Sequence, residues 1–143
     1  LDYRRELEKL ISDNGLDEVV RIVENCKDMP AAYMLTDVVV SASTDPEAFG
    51  RIIPEAQALG RPVIASDHGG ARETVIQGET GWLVPPGDPQ ALTRAINYVL
   101  SLDEGARKNL AQKAVENVHK KFSKVSMCTK TLDVYDEILG ENA

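Results

Sequence analysis

The spacing of apolar residues changes several times along the chain and predicts alternating helices and strands. Residues 2–13 place Leu7, Leu10 and Ile11 on one face, which is helical spacing. Short, largely apolar runs without regular polar alternation are typical of buried strands and lie at residues 19–23, 38–41, 62–66 and 81–84. Helices and strands are therefore expected to alternate over the first 84 residues.

Helical spacing dominates after the fourth of these runs. Asp88 is predicted to cap a helix whose first turn contains Pro89. Two more helices follow, the last over residues 123–139, and shorter helices are predicted at residues 31–34, 54–59 and 71–76. This order predicts an α/β fold with a parallel, Rossmann-like sheet of about four strands flanked by helices, and a helical carboxyl-terminal segment.

Composition narrows the possible classes of protein. The chain has 143 residues, 43% of them hydrophobic and 27% charged, which fits one compact domain. A net charge of −7 argues against nucleic acid as a partner, because binding to phosphates normally needs a basic surface. Cys26 and Cys128 are far apart in sequence and form no C-x-x-C pair, so neither a zinc site nor a redox motif is expected. With only these two cysteines, a reducing, cytoplasmic setting is the simpler interpretation.

Two glycine-containing loops follow predicted strands. Residues 47–50 come after the second predicted strand, and residues 67–70 come after the third. Ligands of open parallel sheets bind outside the carboxyl ends of the strands. If the crossover is right-handed, these two strands are neighbours and their loops flank one cleft.

The most informative pair of residues is Glu47 and Glu55, one on each side of Gly50. The helix start between them offers free backbone N–H groups and the positive end of a helix dipole, which together suit a phosphate. A carboxylate can accept two hydrogen bonds from a vicinal diol. A nucleotide diphosphate sugar has such diols at both ends, on the ribose and on the hexose.

Four segments together carry a family resemblance, and they cover residues 47–56, 60–65, 69–75 and 78–84. In this order and at these distances they resemble the carboxyl-terminal, donor-binding domain of the group 1 retaining glycosyltransferases, which have the GT-B fold. The resemblance extends over nearly the whole chain. It implies binding of a nucleotide diphosphate sugar and transfer of the sugar, with retention, to a glycan or lipid-linked acceptor.

The resemblance also implies roles for individual residues. Glu47 would be the catalytic residue that hydrogen-bonds the transferred sugar, and Glu55 would hold the ribose hydroxyls. Backbone amides of the loop and helix start would bind the sugar and diphosphate, at Phe49, Gly50, Arg51 and Ile52. No cofactor and no metal ion are implied.

The second loop contributes three further candidates, His68, Gly69 and Gly70. The glycines could form a nest of amides near the phosphates or the acceptor, or could simply permit a tight turn. His68 could act as a general base. A retaining transferase is thought to draw its base from the substrate phosphate, so a polar loop residue is the favoured interpretation of His68.

We expect residues 1–143 to be part of a longer protein. The resemblance implies that Leu1 lies in the helix that precedes the third strand of the family's domain. The amino-terminal acceptor domain, two strands and a basic pair that neutralises the leaving group would then lie upstream, and this segment alone would be inactive. Contact with a lipid-linked acceptor would bring the missing domain to the inner face of the cell membrane.

Two alternatives of other classes remain open. A non-transferase enzyme of the same fold, such as a nucleotide-sugar epimerase, would share the nucleotide cleft. A non-catalytic module that binds sugar nucleotides would keep Glu47 and Glu55 but lack the upstream basic pair.

Overall fold

The computed structural model describes residues 2–140, in which parallel strands form one sheet between helices. The strands are β1 (Val39–Ser41), β2 (Val63–Ser66) and β3 (Trp82–Val84). The helices are α1 (Asp2–Asp13), α2 (Met29–Met34), α3 (Ile52–Ala58), α4 (Ala71–Thr74), α5 (Pro89–Ser101), α6 (Glu104–Phe122) and α7 (Lys124–Gly140).

The sheet has the order β1-β2-β3, and both pairings are parallel. All four residues of the central strand β2 are buried, as expected for a strand covered on both faces. Val63 and Ala65 pack with α3 residues on one face, whereas Ile64 packs with Val99 of α5 on the other. The predicted α/β fold with helices on both faces of a parallel sheet is therefore confirmed.

The strand predicted at residues 19–23 is wrong. Val19 and Val23 are 77% and 78% exposed, and the backbone N–H groups of Val19 and Val20 donate to the Leu16 carbonyl in a turn. A strand needs a neighbour that completes its backbone hydrogen bonds, and within residues 2–140 no strand pairs with this run. The described sheet consequently has three strands, one fewer than expected.

Helices α5 and α6 are each capped at the amino end by an aspartate side chain. The side chains of Asp88 and Asp103 accept hydrogen bonds from the backbone N–H groups of Ala91 and Ala106, at 2.9 and 2.7 Å. The predicted cap of α5 at Asp88 is confirmed. Helix α4 is shorter than predicted because the chain turns extended at Val75 as it leaves the helix.

The last helix forms as predicted but packs loosely. Among residues 124–140 no side chain is buried, and Val125, Leu132 and Leu139 are between 60% and 76% exposed. Across residues 2–140 no helix is both long enough and apolar enough to cross a lipid bilayer. Helix α7 therefore presents an apolar surface that the described part of the chain does not cover.

Candidate functional site

The loops that follow β1 and β2 lie against each other. The Gly70 N–H donates to the Glu47 carbonyl at 3.0 Å. A Cβ atom at Gly69 would lie 2.2 Å from the Glu47 carbonyl oxygen, and one at Gly70 would lie 2.4 Å from that of Phe49. The expected adjacency of the two loops is confirmed, and their close approach explains why glycine occupies both positions.

This contact limits what the second loop can offer a ligand. The Gly70 N–H is already bound to the Glu47 carbonyl and is not free to hold an anion. The Gly69 N–H has no acceptor among residues 2–140. The tight-turn explanation therefore accounts for Gly70, and Gly69 remains a candidate for a ligand contact.

A substitution at Gly69 tests how much this packing contributes to stability. Gly69→Ala and Gly78→Ala both place alanine at a positive φ, which costs about 1–2 kcal/mol. The Gly78 position is open, whereas a Cβ atom at Gly69 collides with the loop at Glu47. We expect Gly69→Ala to lower the free energy of unfolding by about 2 kcal/mol more than Gly78→Ala in urea denaturation. Equal losses would show that the contact is dispensable.

The Glu47 side chain folds back over its own loop. Its Oε1 atom accepts a 2.6 Å hydrogen bond from the Ser43 hydroxyl. Its Oε2 atom lies where a side chain at Gly50 would have to pass, because a Cβ there would be 2.9 Å from it. Gly50 has a φ of +71°, and this left-handed backbone favours glycine at the position.

Free backbone donors mark the start of α3. Among residues 2–140 no acceptor is present for the N–H groups of Gly50, Arg51 and Ile52. The first N–H groups of a helix lack intrahelical partners, and the helix dipole makes this end positive. Three successive donors are thus available to an anion, and the binding of sugar and diphosphate by the amides of Phe49, Gly50, Arg51 and Ile52 stays a prediction.

Glu55 lies in the first turn of α3, where two neighbours hold its carboxylate. Its Oε1 atom accepts hydrogen bonds from the Arg51 Nε and Nη2 atoms at 3.1 and 2.8 Å. Its Oε2 atom accepts a hydrogen bond from the Tyr33 hydroxyl at 3.2 Å. The Arg51 side chain is 83% exposed and can leave, whereas Tyr33 is buried.

Tyr33 is a residue of this site that the sequence did not reveal. It lies 22 positions before Glu55, on α2, and no motif links the two. Burial, followed by the hydrogen bond to Glu55 and the charge of Glu55, raises the pKa of the Tyr33 hydroxyl above its usual value of 10.0. The hydroxyl therefore remains a hydrogen-bond donor to Glu55 throughout the neutral range.

The raised pKa of Tyr33 implies a dependence of stability on pH. A group whose pKa is higher in the folded state stabilises the fold below its unfolded pKa, and this contribution is lost as the pH rises through the folded pKa. For Tyr33 that loss falls above pH 10.0. We expect the free energy of unfolding to fall more steeply above this pH in the wild type than in Tyr33→Phe. Superimposable urea-denaturation curves for the two proteins at pH 9 and pH 11 would contradict this expectation.

His68 is held inside the second loop. Its Nε2 atom lies 2.8 Å from the Ser43 carbonyl oxygen, and its Nδ1 atom is buried with no partner among the described residues. It lines a cavity of about 10 Å³, together with Ser43 and Glu47, that is large enough for about one water molecule. This placement supports a structural role for His68 and gives no support to a general base.

Two arginines near the loops, Arg61 and Arg72, are engaged elsewhere. Arg72 donates to the Asp67 side chain and carbonyl, at 2.8 and 2.9 Å, and Arg61 donates to the Leu59 carbonyl. In the part of the chain that the structure describes, no group of three or more His, Cys, Asp or Glu side chains is arranged to hold a metal ion. Arg51 lies next to the free amides, and its exposed side chain can change partner.

The sequence is similar to a known protein family and to individual members of it. The profile of the family described as Glycosyl transferases group 1 matches residues 1–120. The capsular polysaccharide biosynthesis glycosyltransferase CapM of Staphylococcus aureus is 32% identical over an alignment that covers 93% of this chain and 37% of that relative.

Solved structures agree with the sequence comparison. A glycosyltransferase from Rickettsia africae superposes with a TM-score of 0.92 and 37% identity, over 96% of this chain and 37% of that one. HepE from Anabaena, crystallised in complex with UDP-glucose, superposes with a TM-score of 0.88 and 33% identity, over 95% of this chain and 37% of that one. The chain thus spans about a third of the length of these proteins.

Proposed function

Because the chain belongs to the group 1 glycosyltransferase family, we propose that it is the donor-binding domain of a GT-B enzyme that transfers a sugar from a nucleotide diphosphate sugar. The observation that carries the proposal is the set of free N–H groups at residues 50–52, which lies between Glu47 and Glu55. The structure of HepE with UDP-glucose supports this class of donor.

In the proposed complex Glu55 binds the ribose. A carboxylate that accepts from both hydroxyls of a vicinal diol needs a free lone pair on each oxygen. Tyr33 uses one lone pair of Oε2, whereas Arg51 places two N–H groups on Oε1. The ribose therefore displaces Arg51, whose exposed guanidinium becomes available to the neighbouring diphosphate. The buried Tyr33 hydroxyl keeps the carboxylate in place during this exchange.

Glu47 and the free amides act at the other end of the donor. The amides of Gly50, Arg51 and Ile52 hold the diphosphate, and Glu47 accepts hydrogen bonds from the transferred hexose. As the bond between sugar and diphosphate loosens, negative charge grows on the leaving group, and fixed N–H donors stabilise it. The sugar then passes to a hydroxyl oxygen of the acceptor with retention at the anomeric carbon, and the hydroxyl proton goes to the departing diphosphate. The scheme involves no metal ion or bound cofactor.

The rest of the catalytic machinery is proposed to lie in the remainder of a longer polypeptide. There we place the basic pair that neutralises the leaving group and an amino-terminal domain that binds a glycan or lipid-linked acceptor. The exposed apolar run at residues 19–23 and the uncovered face of α7 support this arrangement, since both offer surface to further structure. We propose a cytoplasmic location, with the acceptor domain in contact with the inner face of the cell membrane.

A nucleotide panel tests the proposed function. The melting temperature of the complete protein is measured with UDP, GDP and ADP, with the matching monophosphates, and with the corresponding nucleotide sugars. We expect one diphosphate series to stabilise the protein by about 2.7 kcal/mol at 100 times its Kd. The monophosphate should stabilise far less, because it lacks the group that the free amides bind. Absence of stabilisation by every diphosphate would refute the proposal.

A further inference from the structure

The orientation of the Glu47 carboxylate depends on a short chain of hydrogen bonds between the two loops. The His68 ring contacts the Ser43 carbonyl at 2.8 Å, and the Ser43 hydroxyl donates to Glu47 Oε1 at 2.6 Å. His68 follows β2, whereas Ser43 and Glu47 follow β1. The chain therefore ties the side chain of Glu47 to the neighbouring strand of the sheet.

The bond to a carbonyl fixes which ring nitrogen of His68 carries the hydrogen. A carbonyl oxygen can only accept, so the Nε2 atom must donate. The Nδ1 atom is buried without a partner among the described residues. With Nε2 engaged and Nδ1 buried, the role that the described contacts support for His68 is to hold Ser43.

Ser43 binds the Glu47 carboxylate, and Gly50 lies next to it. The hydroxyl of Ser43 makes a short, charge-assisted bond to Oε1, which is about twice as strong as a bond between neutral groups. The Oε2 atom lies beside Gly50, 2.9 Å from the place that a Cβ atom there would take. Oε1 is thus held by a donor, and both oxygens keep lone pairs for a sugar.

We propose that Ser43 and His68 are positioning residues that hold the Glu47 carboxylate in the orientation required by the sugar of the donor. The inference rests on the proposed function, because it assumes that Glu47 binds the sugar rather than the nucleotide. It assigns His68 a role through Ser43 and none in direct contact with substrate. Loss of either residue leaves the nucleotide half of the site, at residues 50–55, untouched.

Calorimetric titration of the complete protein with two ligands tests this inference. One ligand is the nucleotide diphosphate sugar selected by the panel above, and the other is the same nucleoside diphosphate without sugar. Ser43→Ala and His68→Leu should weaken binding of the sugar nucleotide about tenfold, the effect of losing one charge-assisted hydrogen bond. Both variants should bind the nucleoside diphosphate within about twofold of the wild type, because neither side chain belongs to the nucleotide half of the site. The tenfold loss expected for the sugar nucleotide corresponds to about 1.4 kcal/mol.

A conservative variant distinguishes positioning from a merely structural role. In His68→Gln the amide nitrogen can reach the place of Nε2 and donate to the Ser43 carbonyl, so binding of the sugar nucleotide should be largely restored. Equal weakening of both ligands, no weakening at all, or a His68→Gln variant as poor as His68→Leu would overturn the inference. If His68→Leu does not fold, Ser43→Ala decides.

The Glu47→Ala variant separates failure of this inference from failure of the proposed function. Suppose that Glu47→Ala weakens binding of the sugar nucleotide but not of the nucleoside diphosphate, and that Ser43→Ala does not. The proposed function then stands and the positioning role falls. If Glu47→Ala itself weakens binding of both ligands equally, Glu47 does not bind the sugar, and the positioning role falls together with the role proposed for Glu47. The nucleotide panel then decides whether the domain binds a donor.

Discussion

Replacing Glu55 by alanine is expected to abolish most of the stabilisation that the preferred nucleotide gives the complete protein. The substitution removes both oxygens that accept from the ribose, and each hydrogen bond to a charged group contributes about 1.5–3 kcal/mol. We therefore expect the Kd for the nucleotide to rise at least about 100-fold. The measurement is the shift in melting temperature over a series of nucleotide concentrations.

A matched control is available for this variant. Glu104 pairs with Lys108 four positions later, at 2.6 Å, just as Arg51 pairs with Glu55 at 2.8 Å. Glu104→Ala removes an ion pair of the same kind at the exposed start of α6, and nucleotide binding should be unchanged. Glu55→Ala also leaves the buried Tyr33 hydroxyl without its acceptor, so the stability of each variant without ligand has to be measured first. Undiminished nucleotide binding in Glu55→Ala would show that the ribose lies elsewhere.

Replacing Glu47 by alanine is expected to affect catalysis more than nucleotide binding. If Glu47 holds the sugar as its bond to the diphosphate breaks, its removal should lower kcat by about 100- to 1000-fold, the usual effect of losing one preorganised catalytic contact. The affinity for the nucleoside diphosphate should change little. The measurement is the initial rate of sugar transfer by the complete protein, combined with titration of the nucleotide.

The control for this variant lies in the same loop. Asp45 is exposed and, within residues 2–140, makes no side-chain hydrogen bond or ion pair. Asp45→Ala removes a negative charge two positions from Glu47 and should leave kcat unchanged. A rate for Glu47→Ala that matches that of Asp45→Ala would exclude a catalytic role for Glu47.

Much of the fold could be predicted because its signals are local. Asp88 and Pro89 mark the start of α5, and the unalternating apolar run at residues 62–66 indicates a strand buried on both faces. The apolar run at residues 19–23 was misleading because a strand also depends on a neighbour, which a local pattern does not contain. Local signals therefore predicted the elements correctly where no contact with a distant part of the chain was needed to decide between a strand and a turn.

The candidate site was predictable in part for a similar reason. Glu47, Gly50 and Glu55 share one loop and helix start, so their spacing places them together. Tyr33 and Ser43 were missed because their roles depend on contacts between elements. Tyr33 reaches Glu55 from α2, and Ser43 is tied to the second loop through a backbone carbonyl that any residue carries. The roles of all these residues toward a donor remain predictions.

The most direct test is a crystal structure of the complete protein with its nucleotide diphosphate sugar bound. We expect the Glu55 carboxylate to lie within about 3 Å of both ribose hydroxyls and the Glu47 carboxylate within the same distance of a sugar hydroxyl. We also expect Arg51 to have left Glu55 for the diphosphate. A complex in which Arg51 still pairs with Glu55, and in which the ribose contacts other side chains, would contradict the proposed mode of donor binding.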